Sequence, residues 1–225
     1  MPAYPAGPPL HQARGSGPHS EPVSQAPIVY VVDDERGVTE LIRRLAGASG
    51  LVVVPFHDAT TFLAAYDPSR PGCLVLDLRL PDLSGIEIIE RLRDLGATQP
   101  IVFISGYAEV AHAIQAMKLG VHDFLEKPFT NDAILAAIHS ALARDAAARA
   151  ERALMGDVAQ RFARLSARET QVMEMVVKGM PNRVIAENLT LSPKTIEVHR
   201  ANVMAKLEVN SLADLVKLAM KHFGA

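Results

Sequence analysis

Ile28-Val29-Tyr30-Val31-Val32-Asp33-Asp34-Glu35 is the stretch from which the fold can be read outward. Five apolar residues in a row, three of them valine, suit a parallel strand buried on both faces better than the alternating pattern of a half-exposed strand. Immediately behind it Val38, Leu41, Ile42 and Leu45 recur at helical spacing. The same alternation returns with apolar runs at Leu51 to Val54, Cys73 to Leu76, Ile101 to Ile104 and Val121 to Leu125. Helical patterns fall between and after them, near residues 58–66, 84–95, 108–119 and 130–150. Five β/α alternations predict an α/β doubly wound, five-stranded parallel sheet with helices on both faces. Ligands of such sheets bind beyond the carboxyl ends of the strands.

On either side of this region the composition changes. Residues 1–27 hold seven of the fifteen prolines, interspersed with Gly, Ser and Gln, and are expected to form a disordered Pro-rich tail. Beyond the last alternation, residues 141–165 are rich in Ala, Arg and Glu. They are expected to continue the preceding helix, with a break near Gly156. From Leu165 the pattern is all helical, near residues 167–178, 181–189, 193–207 and 211–222, with Ser192-Pro193 reading as an N-cap and a first-turn proline. The expected organisation is therefore a tail at 1–27, an α/β domain at 28–145, a helical linker at 146–164 and an all-α domain at 165–225.

With 225 residues, 49% hydrophobic and 21% charged, and a net charge of -2, the chain can bury a core; wholesale disorder and rod-like repeats are excluded. No apolar run approaches the roughly 18 residues that span a bilayer, and no signal-peptide pattern is present. A single cysteine rules out a disulfide framework, so a reducing cytoplasmic setting without membrane contact is expected. No G-x-x-x-x-G-K-S/T loop offers an ATPase site.

Chemistry is concentrated at the strand ends. Asp33 and Asp34 follow the first strand, and Asp77 follows the third, its neighbour in a doubly wound sheet. Three converging carboxylates repel one another, and a hard divalent cation with an oxygen preference, Mg²⁺, resolves the conflict. Ser105 and Lys127 end the fourth and fifth strands and bring a hydroxyl and an ammonium to the same rim. In the all-α region, Ile196, Val203 and Leu207 share one arc of a helix, and Lys194, Glu197, Val198 and Ala201 lie on the opposite arc, which could enter a DNA major groove. Residues 166–225 carry eight Lys or Arg against six acids, and the rest of the chain 15 against 19, so a modest positive charge is segregated here. Glu197 could accept from cytosine, and Val198 and Ala201 could pack on thymine methyls. Arg183, Lys194, Thr195, Arg200 and Lys206 are candidates for phosphate contacts, and His199 for the core, a phosphate or a base.

The segments VVDDE (31–35), LVLDLRLPDLSG (74–85), ISGY (104–107) and DFLEKPF (123–129) resemble the receiver domain, a flavodoxin-like fold, of bacterial two-component response regulators. Residues 165–207, with RE, G-x-x-N-x-x-I-A, LSPKTIEVHR and KL, resemble the LuxR-type helix-turn-helix domain. Together they resemble the FixJ/NarL family, on its FixJ branch.

This resemblance implies a phosphorylation-activated transcriptional regulator rather than an enzyme. Asp77 would accept a phosphoryl group from a sensor histidine kinase. Mg²⁺ would be held by Asp34, Asp77 and the backbone carbonyl of Arg79, with Asp33 assisting through water. Ser105 and Lys127 would contact the phosphoryl oxygens, the Lys127-Pro128 bond would be cis, and Phe124 would turn inward as Ser105 moves. The face formed by residues 108–129, including Val110, Ala113 and Ile114, would then pair two copies on promoter DNA, with RNA polymerase as a further partner. Arg79 and Tyr107 would shield the phosphoryl group from water. The alternatives are a Mg²⁺-dependent phosphatase-like enzyme and a regulator that acts without phosphorylation.

Overall fold

A computed structural model describes residues 26–106 and 120–224. Strands β1 (Ile28–Val32), β2 (Val52–Phe56), β3 (Gly72–Asp77), β4 (Ile101–Ser105) and β5 (Asp123–Glu126) form one parallel sheet in the order β2-β1-β3-β4-β5. Helices α1 (Arg36–Ala48), α2 (Ala59–Ala65) and α3 (Gly85–Asp94) alternate with the strands, and α4 (Asn131–Ala163) follows β5. The doubly wound α/β sheet is thus observed. The expected helix at 108–119, with Val110, Ala113 and Ile114, lies outside the described residues, as do Tyr107 and the tail up to residue 25.

The unbroken apolar strands have the reason anticipated for them. Tyr30, Val32, Leu74, Leu76 and Phe103 face one core with Phe62 of α2 and Ile88 and Leu92 of α3. Val29, Val31, Val75, Val102 and Ile104 face a second core with Ile42 of α1 and Ile134, Ile138 and Ala141 of α4. Side chains alternate across a strand, so a strand covered on both faces must be apolar at every position. β2 is an edge strand and is less buried than its neighbour β1. It runs two residues past Val54 because Pro55, which lacks a donor, is tolerated on an edge.

The break expected near Gly156 is absent: α4 is one helix of 33 residues from Asn131 to Ala163. A lone glycine in a helix costs only about 1 kcal/mol relative to alanine. Its Ala- and Arg-rich neighbours, and the burial of Val158 and Phe162 just beyond it, outweigh that cost. The boundary read at 145/146 therefore falls inside a continuous helix. Among the described residues, no helix is long and apolar enough to cross a membrane.

Helices α5 (Ala167–Val177), α6 (Asn182–Leu189), α7 (Pro193–Leu207) and α8 (Leu212–Phe223) enclose a third core. It contains Val172, Met173, Ile185, Ile196, Val203, Leu207 and Leu215, closed by Val158 and Phe162 from the end of α4. Ser166 and Glu169 form a capping box on α5, and Ser192 caps α7 with Pro193 in its first turn.

Candidate phosphoacceptor site and nucleic-acid interface

The parallel register brings the ends of β1, β3, β4 and β5 to one rim. Asp33, directly after β1, is fully buried; Asp77, the last residue of β3, is 7% exposed, and Ser105, the last of β4, is buried. Lys127 follows β5, and its backbone N–H donates to the Ser105 carbonyl at 2.7 Å. The Lys127-Pro128 bond is cis, as the resemblance implied. From there the Lys127 ammonium reaches Asp77 Oδ2 at 2.6 Å, Asp33 Oδ2 at 2.7 Å and Glu35 Oε1 at 3.0 Å. Asp33 Oδ1 accepts from the Glu35 backbone N–H at 2.8 Å, and Asp77 Oδ1 accepts from that of Arg79 at 2.9 Å.

Three carboxylates surround one ammonium, so negative charge is in excess. Burial pushes the Asp33 carboxyl above its ordinary value, against the contrary pull of Lys127 and the Glu35 N–H. Burial alone would lower the Lys127 ammonium; hydrogen bonds to Asp33, Asp77 and Glu35 overcome it and hold the lysine protonated above its usual range. Oxygens of Asp33, Glu35 and Asp77 lie within 4.8 Å of one another. Asp33 Oδ2 is buried and lies 2.7 Å from the Lys127 ammonium. An all-oxygen donor set with uncompensated charge fits a small hard cation such as Mg²⁺.

Of the residues read from the sequence, Asp33, Asp77 and Lys127 meet directly. Ser105 shares the rim through its backbone, and Phe124, partly buried, packs against the core that contains Phe103. Asp34, exposed on the same turn, is not among the three carboxylates whose oxygens lie within 4.8 Å of one another, whereas Glu35 is. Glu35 lies within VVDDE, two residues past Asp33, and that spacing is the sequence signal for its place at the rim. Tyr107 lies outside the described residues.

On the all-α unit, Lys194, Glu197, Val198 and Ala201 are exposed along α7, and Ile196, Val203 and Leu207 are buried. Val198, an aliphatic side chain 52% exposed, stands in the middle of this face. Lys194 pairs with Glu197 at 3.2 Å and Arg183 with Glu187 at 3.2 Å, all on the surface. Thr195 is half-buried against the Ser192 cap. Two of the candidate cations are engaged inside the domain. Arg200 donates to Asn182 Oδ1 at 2.8 Å, and Lys206 donates to the buried Glu169 at 2.7 Å. His199 is half-buried, and its Nδ1 has no hydrogen-bond partner among the described residues. A feature absent from the sequence expectations is an apolar stripe on α8: Leu212, Met220 and Phe223 are exposed, with half-buried Val216 between them. Its spacing of four, four and three residues was legible.

Residues 29–139 match the response regulator receiver domain, and residues 163–219 match the bacterial regulatory proteins of the luxR family. The transcriptional regulatory protein FixJ of Bradyrhizobium diazoefficiens is 44% identical over 193 residues, 86% of this chain and 94% of that protein. A low-resolution structure of the response regulator StyR is 42% identical, with a TM-score of 0.82, over 87% of this chain and 99% of the other. Full-length FixJ from B. japonicum, also 42% identical, has a TM-score of 0.56 over 88% of this chain and 98% of the other. The fold and site thus define a response regulator, a receiver coupled to a DNA-binding unit. Within that class the chain belongs to the FixJ-type family, with a LuxR-type output domain, and is a phosphorylation-activated transcriptional regulator.

Proposed function

We propose that Asp77 is the phosphoacceptor of this regulator. A carboxylate oxygen of Asp77 attacks the phosphorus of a phosphohistidine on a sensor kinase. The P–O bond forms as the P–N bond breaks, and the electron pair of that bond returns to the imidazole nitrogen. Bound Mg²⁺ would neutralise charge on the transferring group. In this reading Asp77, Asp34 and the Arg79 carbonyl would hold the ion directly, Asp33 would assist through water, and Glu35 would add a further oxygen at the rim. Lys127 orients the Asp77 carboxylate before transfer and holds a phosphoryl oxygen afterwards, and the Ser105 hydroxyl takes a second. Phosphoryl transfer needs such positioning and charge neutralisation more than covalent participation by the protein. The observation that carries the reading is Lys127 bridging Asp77 and Asp33, at 2.6 and 2.7 Å, on a rim shared with Ser105.

The finer consequences belong to the same proposal. Phosphorylated Asp77 draws Ser105 toward it, Phe124 fills the space, and two copies pair. The exposed stripe of α8 supports pairing of the output domains. Paired α7 helices then read two half-sites roughly 10 base pairs apart. Lys194, Glu197, Val198 and Ala201 face the groove, Arg183 and Thr195 flank it, and RNA polymerase is engaged from the promoter, in the cytoplasm. Labelled acetyl phosphate with Mg²⁺ should place about one base-labile phosphoryl group on the wild type and none on Asp77→Asn. Labelled wild type should elute as a dimer on gel filtration. Equal labelling of the variant would refute the assignment.

A further inference from the structure

A second carboxylate on the phosphoacceptor loop has no part in the chemistry above. Asp82 lies five residues beyond Asp77, at the tip of the segment joining β3 to α3. It reaches across to the start of α2. Its Oδ1 accepts from the Ala59 backbone N–H at 3.0 Å, and its Oδ2 accepts from the Thr60 N–H at 2.8 Å and the Thr60 hydroxyl at 2.7 Å. α2 already has a cap of its own, Asp58, which accepts from Thr61 N–H at 2.7 Å. The bonds from Asp82 therefore do more than end a helix: they tie two loops on the rim of the sheet.

Followed round, these contacts enclose the acidic site. Asp33 N–H donates to the Phe56 carbonyl at 3.1 Å, and His57 Nδ1 lies 3.2 Å from the Asp33 carbonyl oxygen, so the end of β1 is fastened to the β2–α2 junction. Asp82 fastens that junction to the loop. The loop is closed at its base by the Arg79–Ser84 bridge and by Gly85 N–H donating to the Leu78 carbonyl at 2.9 Å. Arg79 N–H holds Asp77, and Lys127 returns from Asp77 to Asp33. Burial alone would raise the Asp82 carboxyl, but the bonds from Thr60 and Ala59 overcome this and hold it at about 2, so the tie stays ionised at any ordinary pH.

We infer that Asp82 is a positioning residue for the metal-binding loop: through Ala59 and Thr60 it fixes residues 79–84, and with them the Arg79 carbonyl, against the Asp33 and Asp77 carboxylates. The inference rests on the phosphoacceptor reading. Residues that orient metal ligands typically alter affinity by about 10–100-fold when removed. Calorimetric titration of MgCl₂ into the full-length chain, without phosphodonor, tests it. Asp82→Ala is expected to weaken Mg²⁺ binding about tenfold. Thr60→Val, which removes one of the three bonds and leaves both backbone donors, is expected to have a smaller effect in the same direction. A dissociation constant for both variants within twofold of wild type overturns the inference. If Asp82→Ala does not fold, as judged by circular dichroism, Thr60→Val and Asp82→Asn decide the matter by the same criterion. Labelling of wild type with acetyl phosphate, run in parallel, separates the two claims. Weakened Mg²⁺ binding in the variants with no label on wild type would support the brace and refute Asp77 as acceptor.

Discussion

Glu169 and Lys206 show how a residue type can point one way and its surroundings another. A lysine near the end of a DNA-reading helix suggests a phosphate contact. Here its ammonium lies 2.7 Å from Glu169 Oε2, a carboxylate that also accepts from Ser166 N–H at 2.8 Å as part of the α5 capping box. Lys206, followed by Ser166, lowers the Glu169 carboxyl to about 2. A carboxyl depressed in the fold contributes stability that is fully present above its unfolded value, near 4.5, and is lost as pH falls toward 2. Lys206→Met should therefore cost about 2 kcal/mol, the worth of a charge-assisted hydrogen bond, in urea unfolding of the output domain at pH 7. The gap between wild type and Glu169→Gln should close between pH 5 and pH 2. The salt dependence of promoter binding by Lys206→Met should match wild type; a shallower slope would return Lys206 to the phosphates. What was legible at this scale followed from chain position. Asp77 and Ser105 end a strand, Asp33 and Lys127 directly follow one, and a parallel sheet gathers strand ends. Partnerships set by folding across long separations were not legible: Asp82 to Thr60, 22 residues apart, or Lys206 to Glu169, 37 apart, leave no pattern in the sequence.

At the scale of elements, glycine separates positions set by geometry from those set by composition. Gly72, at the start of β3, has φ +154, and a Cβ built there would lie 2.0 Å from the Ile28 carbonyl oxygen. Its N–H donates at 2.8 Å to Asp145, a buried carboxylate of α4. Gly156, in the exposed run of α4, has nothing within 4 Å of its Cβ position. Gly72→Ala should thus destabilise the receiver by about 3 kcal/mol, and Gly156→Ala should stabilise α4 by about 0.5–1 kcal/mol. Thermal unfolding followed by circular dichroism should show shifts of opposite sign; a neutral Gly72→Ala would mean that β1 and β3 can part to admit a methyl group. The strands were legible because double-sided burial writes an uninterrupted apolar run. The course of α4 was less so. Its hydrophobic face changes partner midway, from the sheet to the all-α core, so one helical period never spans it, and a glycine in the polar stretch between reads as a break.

That change of partner has a consequence for the molecule as a whole. α4 packs against the receiver through Ile134, Ile138 and Ala141, and the buried Asp145 extends the attachment by accepting from Arg149 Nε at 2.8 Å. Arg149 in turn donates to the Ser69 carbonyl at 2.7 Å and to the Arg70 carbonyl. Only residues 150–157, all exposed, separate this lock from Val158 and Phe162 in the output core. Eight residues of helix span about 12 Å. At the far end Arg161 pairs with Glu208, the left-handed cap of α7, at 3.3 Å, and so joins the linker to the end of the reading helix. A helix held at both ends transmits rotation, whereas a tether does not. Two alanines inserted after Ala153 turn everything beyond them by about 200°, and seven by about 700°, within 20° of two full turns. Promoter affinity of the phosphorylated protein should fall about tenfold or more with two residues added and recover to within a few-fold of wild type with seven, as read by band shift. Recovery with seven despite about 10 Å of added length would mark angle, rather than reach, as the quantity α4 conveys; equal affinity at every insertion length would make it a tether.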